Sequence, residues 1–164
     1  MQELTLEHEL HCDEDTYWYS CVFNPKYNAQ LYLEILKFPR YEFQDIDDDG
    51  RCIRYSVIAQ PALPPLPDIV KAVIEDGLVY KEEGIFDRQK RRYLFRGIAV
   101  VGKAVTSGEL ILTSIGLNRT LRTAKLKVEV DIPLVGGLLE DLIVQSLRES
   151  HDKAVEFTNR YIQT

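Results

Sequence analysis

Two ionisable side chains interrupt faces of the sequence that are otherwise apolar. In the stretch L-T-L-E-H-E-L, Leu4, Leu6, His8 and Leu10 alternate with Thr5, Glu7 and Glu9. His8 therefore shares a strand face that should be buried. In L-R-T-A-K-L-K-V-E-V, Arg122 shares its face with Ala124, Leu126, Val128 and Val130. Buried polar groups need partners. His8 and Arg122 are thus candidates to hold the polar head of a ligand, or to satisfy each other or the backbone. For proton transfer, which requires a group within hydrogen-bond reach of a substrate, His8 and Glu82 are the candidates.

Stronger chemical signatures are missing. His8, His11 and His151 lie in no nucleophile-base arrangement that sequence can reveal, and G-x-S-x-G, H-E-x-x-H, G-x-G-x-x-G and Walker patterns are all lacking. Cys12, Cys21 and Cys52 show no C-x-x-C spacing, so free thiols in a reducing compartment, the cytoplasm, are expected. No metal site and no cofactor are expected. The run D-I-D-D-D-G (45–50) imitates the first half of a calcium loop, but the twelfth position, which must supply a carboxylate, is Ser56. A hairpin turn is the plainer expectation.

The bulk properties narrow the partners. The 164 residues carry a net charge of -6, with 45% hydrophobic and 28% charged residues, as in an ordinary globular domain with a substantial core. An acidic chain does not suit a phosphate backbone, so no nucleic-acid partner is expected. The one basic run, R-Q-K-R-R-Y-L-F-R (88–96), puts Lys90, Arg91 and Arg92 at a hairpin turn where they could touch anionic lipid head groups. The apolar runs are far shorter than the ~20 residues of a membrane span.

These residues have to be positioned by the surrounding elements. Strand patterns run over Leu4–Cys12, Tyr41–Ile46, Cys52–Gln60, Leu78–Phe86, Arg92–Val101, Glu109–Gly116 and Leu121–Ile132. Asp13 and Asn24 are N-caps for two short helices between the first and second strands. The proline-rich link Q-P-A-L-P-P-L-P-D leads into a short helix over Asp68–Glu75, whose Ile69, Val70, Val73 and Ile74 suggest a lid over an apolar space. After Pro133 a long helix begins at Gly136. Its apolar stripe includes Leu139, Ile143, Leu147, Ser150, Ala154, Phe157 and Tyr161. At 1.5 Å per residue it spans roughly 40 Å, which calls for a broad partner. A curved seven-stranded antiparallel sheet provides one, and the segregation of strands from helices gives an α+β class.

The order of elements, together with D-T-Y-W-Y-S-C-V, N-P-K-Y-N-A-Q-L-Y, K-F-P-R-Y-E-F and V-D-I-P-L-V-G-G-L-L-E-D-L-I, resembles the START-like (SRPBCC, helix-grip) superfamily over essentially all of residues 1–164, read as a single domain. The last piece is similar to a bacterial DUF2505-like branch. The resemblance implies a cavity between sheet and final helix that takes a lipid-like or other hydrophobic molecule, usually in a monomer. It equally admits a polyketide cyclase or dehydratase, or a chaperone-linked adaptor whose cavity is filled. No catalytic residue carries over. The inward strand faces nominate Tyr55, Val57, Phe86, Phe95, Leu112, Ser114, Leu126 and Val128 as walls, with Ile143, Leu147, Ser150 and Ala154 from the helix. A register slip of one residue would invert any strand's contribution.

Overall fold

In the computed structural model, residues 1–75, 77–99 and 103–163 are described. Seven strands form one sheet in the order β1-β7-β6-β5-β4-β3-β2, and every neighbouring pair is antiparallel. They are β1 (Gln2–Leu10), β2 (Arg40–Asp48), β3 (Cys52–Gln60), β4 (Tyr80–Asp87), β5 (Arg92–Ala99), β6 (Ala104–Gly116) and β7 (Arg119–Val130). From β2 to β7 the sheet follows chain order through hairpins and one longer connection. β1 then joins β7 at the far edge, and His8 faces Arg122 in that register. The result is the α+β helix-grip architecture expected from the sequence.

Two broken helices fill the first crossover. Helix α1 (Glu14–Tyr17) starts where Asp13 accepts a 2.7 Å hydrogen bond from the Thr16 amide. Helix α2 (Pro25–Ala29) starts where Asn24 accepts from the Lys26 and Tyr27 amides, with Pro25 in the first turn, where its missing N–H costs nothing. Both continue as wider π turns, Trp18–Val22 and Gln30–Ile35. The Phe23 amide reaches back five residues to the Trp18 carbonyl, and the Leu36 amide reaches Leu31 in the same way. Such widened turns re-aim side chains and recur near functional sites. Here the second one carries Leu31 and Tyr32 toward the space beneath the sheet.

Several element boundaries differ from the sequence expectations. Strand β6 starts at Ala104, five residues before the expected Glu109, because T-S-G reads as a turn yet pairs fully with β5 and β7. Gly108 is needed there: an added Cβ would lie 2.6 Å from the Lys125 carbonyl and 2.9 Å from Phe95 Cζ. Strand β4 begins at Tyr80, and Leu78, fully buried, precedes it as non-strand chain. The lid helix is a single turn, α3 (Asp68–Lys71), followed by turns through Ile74. The end of the expected strand Arg92–Val101 lies outside the described residues.

The break after β7 works through a residue the sequence did not single out. Leu134 adopts a left-handed φ of 71° and makes the reversal. Gly136 permits close approach, since a Cβ there would meet the Val130 carbonyl at 2.8 Å, whereas Gly137 has open space. Helix α4 (Gly136–Tyr161) then packs across β1 and β7. It is tied to α2 by a 2.5 Å hydrogen bond between the Tyr27 hydroxyl and Thr158 Oγ1.

Candidate functional site

Between the inner face of the sheet, the π turn after α2 and the middle of α4 lies a cavity of about 210 Å³. Its lining comes from the inward parity of each strand. Strand β3 gives Tyr55 and Val57, β5 gives Phe95, and β7 gives Arg122. Helix α4 gives Ile143, Leu147, Ser150 and Ala154. Eight of the nominated residues thus line one space.

Others on the same faces lie elsewhere. Phe86 is buried under the cavity in an aromatic cluster, 4.6 Å from the Trp18 ring. Leu112, Leu126 and Val128 are buried in the core, and Ser114 is exposed near the end of the β6–β7 hairpin. His8 is not part of the wall. Its Nε2 lies 2.6 Å from Asp152 Oδ1, on the outer side of α4. Of the lid residues, Val70 and Ile74 are core and Ile69 and Val73 are exposed. The connection closes on the cavity earlier, at Pro61 and Leu63, where Ser146 Oγ donates a 3.1 Å hydrogen bond to the Ala62 carbonyl.

The basic turn also differs from its expected role. Arg91 pairs with Glu14 and Asp15, and Arg92 pairs with Glu109, so two of its three cations are already engaged with this chain's own carboxylates. The D-D-G turn is likewise occupied: Asp49 accepts from the Arg51 and Cys52 amides, and Asp48 pairs with Arg88. It is a hairpin turn between β2 and β3.

Two charged side chains reach the cavity from opposite parts of the sheet. Glu82 lies on β4 between Val57 and Gly97 of the neighbouring strands, and all three line the cavity. No hydrogen bond or ion pair holds its carboxyl among the described residues. Burial pushes its pKa up to about 7. Around it stand Tyr32, Tyr41, Tyr55 and Tyr93, all with phenol pKa values raised, first by burial and then in part by the Glu82 charge. Tyr55 accepts from Asn28 Nδ2 at 3.1 Å and shares a 3.2 Å hydrogen bond with Tyr41, whose ring stacks on Tyr32 at 4.5 Å.

On the other side, Arg122 is 5% exposed. Its Nε donates to the Tyr17 hydroxyl at 2.8 Å, and its Nη1 lies 3.1 Å from His151 Nδ1. Because a guanidinium only donates, Nδ1 must accept, so His151 is the neutral tautomer with its proton on Nε2. Burial and then the Arg122 charge hold the His151 pKa well below its usual value, in keeping with that tautomer. His151 was not among the residues nominated from sequence, although Ile143, Leu147 and His151 recur every four residues. Of the four tyrosines around Glu82, Tyr55 was nominated from strand parity, whereas Tyr32 and Tyr41 had weaker signals, since they depend on the π turn and on the β2 edge.

The fold is shared with proteins of known structure at low sequence identity. Zhui aromatase/cyclase from Streptomyces sp. R1128 superposes with a TM-score of 0.70 at 11% identity, covering 98% of this chain and 95% of that one. A START superfamily protein from Mycobacterium smegmatis gives 0.64 at 14%, covering 98% of each. A norcoclaurine synthase point mutant from Thalictrum flavum gives 0.63 at 15%, covering 99% and 96%. At these identities the likeness establishes the START-like fold and nothing finer. The sequence matches no curated protein. One family model, described as "Protein of unknown function (DUF2505)", matches residues 5–162, and the chain is therefore a member of the DUF2505 family.

Proposed function

We propose that this protein binds a compact, largely apolar small molecule in the cavity between the sheet and α4. The observation that carries this reading is the cavity itself. Protein interiors are close-packed, with few voids larger than a water molecule. Leaving about 210 Å³ of this inner space unfilled forgoes the contacts that side chains would otherwise make there. A chain with nine Tyr and six Phe had the means to fill it. The open space therefore favours a container over an adaptor with a filled core. The volume lies below the roughly 300–1,000 Å³ typical of drug-sized ligand sites. It suits one ring or one short chain better than a two-chain lipid. The paired state of Arg91 and Arg92 gives no support to membrane docking by that turn, and no helix of the described residues is long and apolar enough to cross a membrane. The free cysteines fit a reducing compartment such as the cytoplasm.

A second reading is favoured by Glu82. A carboxyl whose pKa is raised to about 7 is suited to giving and taking a proton near neutral pH. Two of the structural neighbours are described as enzymes, an aromatase/cyclase and norcoclaurine synthase. Incubating any extracted natural ligand with the emptied protein separates the readings: a carrier returns it unchanged, an enzyme returns it with altered mass or connectivity.

Leu147→Trp tests the binding reading. Leu147 lines the cavity from α4, so an indole there has space to occupy and adds less than the ~1–3 kcal/mol of strain that overpacking a dense core brings. The variant is expected to keep the wild-type near-ultraviolet circular dichroism and to lose at least ~10-fold in affinity for hydrocinnamyl alcohol, an apolar probe of suitable size. Unchanged binding by a folded variant would move the ligand out of this cavity.

A further inference from the structure

The weakest point of the cavity's electrostatics is Arg122. It is almost wholly buried, it cannot shed its proton, and no carboxylate pairs with it among the described residues. A buried cation without a counter-charge carries an uncompensated desolvation cost of several kcal/mol. What surrounds it compensates only in part. The Tyr17 hydroxyl and His151 Nδ1 are neutral acceptors, and the Tyr17 ring, 6.0 Å from the guanidinium carbon, gives a marginal cation–π contact. Asp152 is one residue from His151 in sequence, yet its carboxylate is turned outward onto His8 Nε2. Glu82 lines the same cavity and forms no ion pair with Arg122.

These contacts also leave donors unused. Nε and one Nη1 proton account for two of the five guanidinium N–H groups. Nη2 makes no hydrogen bond among the described residues, and Arg122 lines the cavity. His151, fixed with its proton on Nε2, adds a neutral donor beside it. The arrangement is held from behind: Tyr17 ends α1, and His151 stands on α4, so the guanidinium is oriented before any ligand arrives.

We infer that Arg122, supported by Tyr17 and His151, is an anion-binding subsite, and that the cavity's ligand is an apolar molecule ending in a carboxylate. The inference rests on the proposed binding function and names the ligand's chemical class. A carboxylate matches the planar fork of a guanidinium and forms the short, charge-assisted hydrogen bonds that neutral oxygens do not. Glu82 lines the opposite part of the cavity and, when ionised, repels the same carboxylate, which favours one orientation, with the anion toward β7.

The test compares hydrocinnamate with hydrocinnamyl alcohol by titration calorimetry on the wild-type protein. They share a body and differ in the charged end. Hydrocinnamate is expected to bind at least ~10-fold more tightly, the equivalent of about 1.4 kcal/mol. In Arg122→Gln the preference should fall to about onefold while the alcohol still binds. Equal affinities for the two probes in the wild type would overturn the subsite and leave the apolar cavity standing. Binding of neither probe would overturn both. Because the wild-type comparison needs no variant, failure of Arg122→Gln to fold does not remove the test.

Discussion

Glu82→Gln is expected to raise stability at pH 8 by about 1–3 kcal/mol and to flatten the pH dependence of unfolding between pH 4.5 and 7. In the unfolded chain the carboxyl titrates at its ordinary value of 4.5, and in the folded protein at about 7. Between those values the folded state binds more protons. Stability therefore falls as pH rises. The favourable contribution is complete below pH 4.5 and is lost as pH passes 7. At about 1.36 kcal/mol per pH unit, the whole effect is a little over ~3 kcal/mol. Partial solvation of Glu82 and the need to satisfy a buried amide lower the net gain of the variant. Urea unfolding of both proteins at pH 5 and pH 8 measures it. Parallel curves for wild type and variant would mean that the Glu82 carboxyl is well solvated or paired. A charged group kept at such a cost in the middle of a β-strand points to a role in the cavity rather than in the fold.

Trp18→Ala is expected to cost about 3–5 kcal/mol, a large share of the roughly 5–15 kcal/mol that holds a domain together. The indole is fully buried. Its centroid lies 4.6 Å from Phe86, 5.7 Å from Tyr17, 6.2 Å from Phe23 and 6.4 Å from Tyr93. Removing it opens a hole that four rings cannot close together. Two of those neighbours reach the cavity: Tyr17 holds Arg122, and Tyr93 lines the wall near Glu82. The indole Nε1 has no partner among the described residues, so Trp18→Phe removes an unpaired donor while keeping most of the ring, and its cost should be clearly smaller than that of alanine. Chemical denaturation of both variants gives the comparison. A loss below about 1 kcal/mol for alanine would show that the aromatic cluster is not the centre of the core.

Strand parity was legible in the sequence because side chains alternate with period two. It brought Tyr55, Val57, Phe95 and Arg122 to one face without any knowledge of the structure. Depth along the strand was not legible. Phe86 shares the inward face, yet it lies where Trp18 and its neighbours fill the space, and Leu126 is buried in the core. Ser114 also has inward parity, but it lies near the hairpin end, beyond the helix's cover. Alternation cannot distinguish a filled inner surface from an open one, since both are apolar. His8 and Arg122 stood out as misplaced polar residues and are register partners, but their contacts are set by how α4 docks. That docking gives Asp152 to His8 and His151 to Arg122. The π turns had no sequence signal, and they bring Tyr32 to the cavity beside Glu82. The lid was read from apolar content alone, whereas Ala62, Pro61 and Leu63, nearer the β3 end, make the contact.

The central claim is that the space between sheet and α4 holds a compact apolar molecule. Native mass spectrometry of gently purified protein, followed by organic extraction and identification of what is released, tests it most directly. A stoichiometric adduct of low mass with one ring or one short chain is expected, displaced by hydrocinnamyl alcohol and missing from Leu147→Trp. A protein that is empty when isolated and shows no thermal stabilisation by hydrocinnamyl alcohol or by a panel of fatty acids, sterols and aromatic compounds would contradict it.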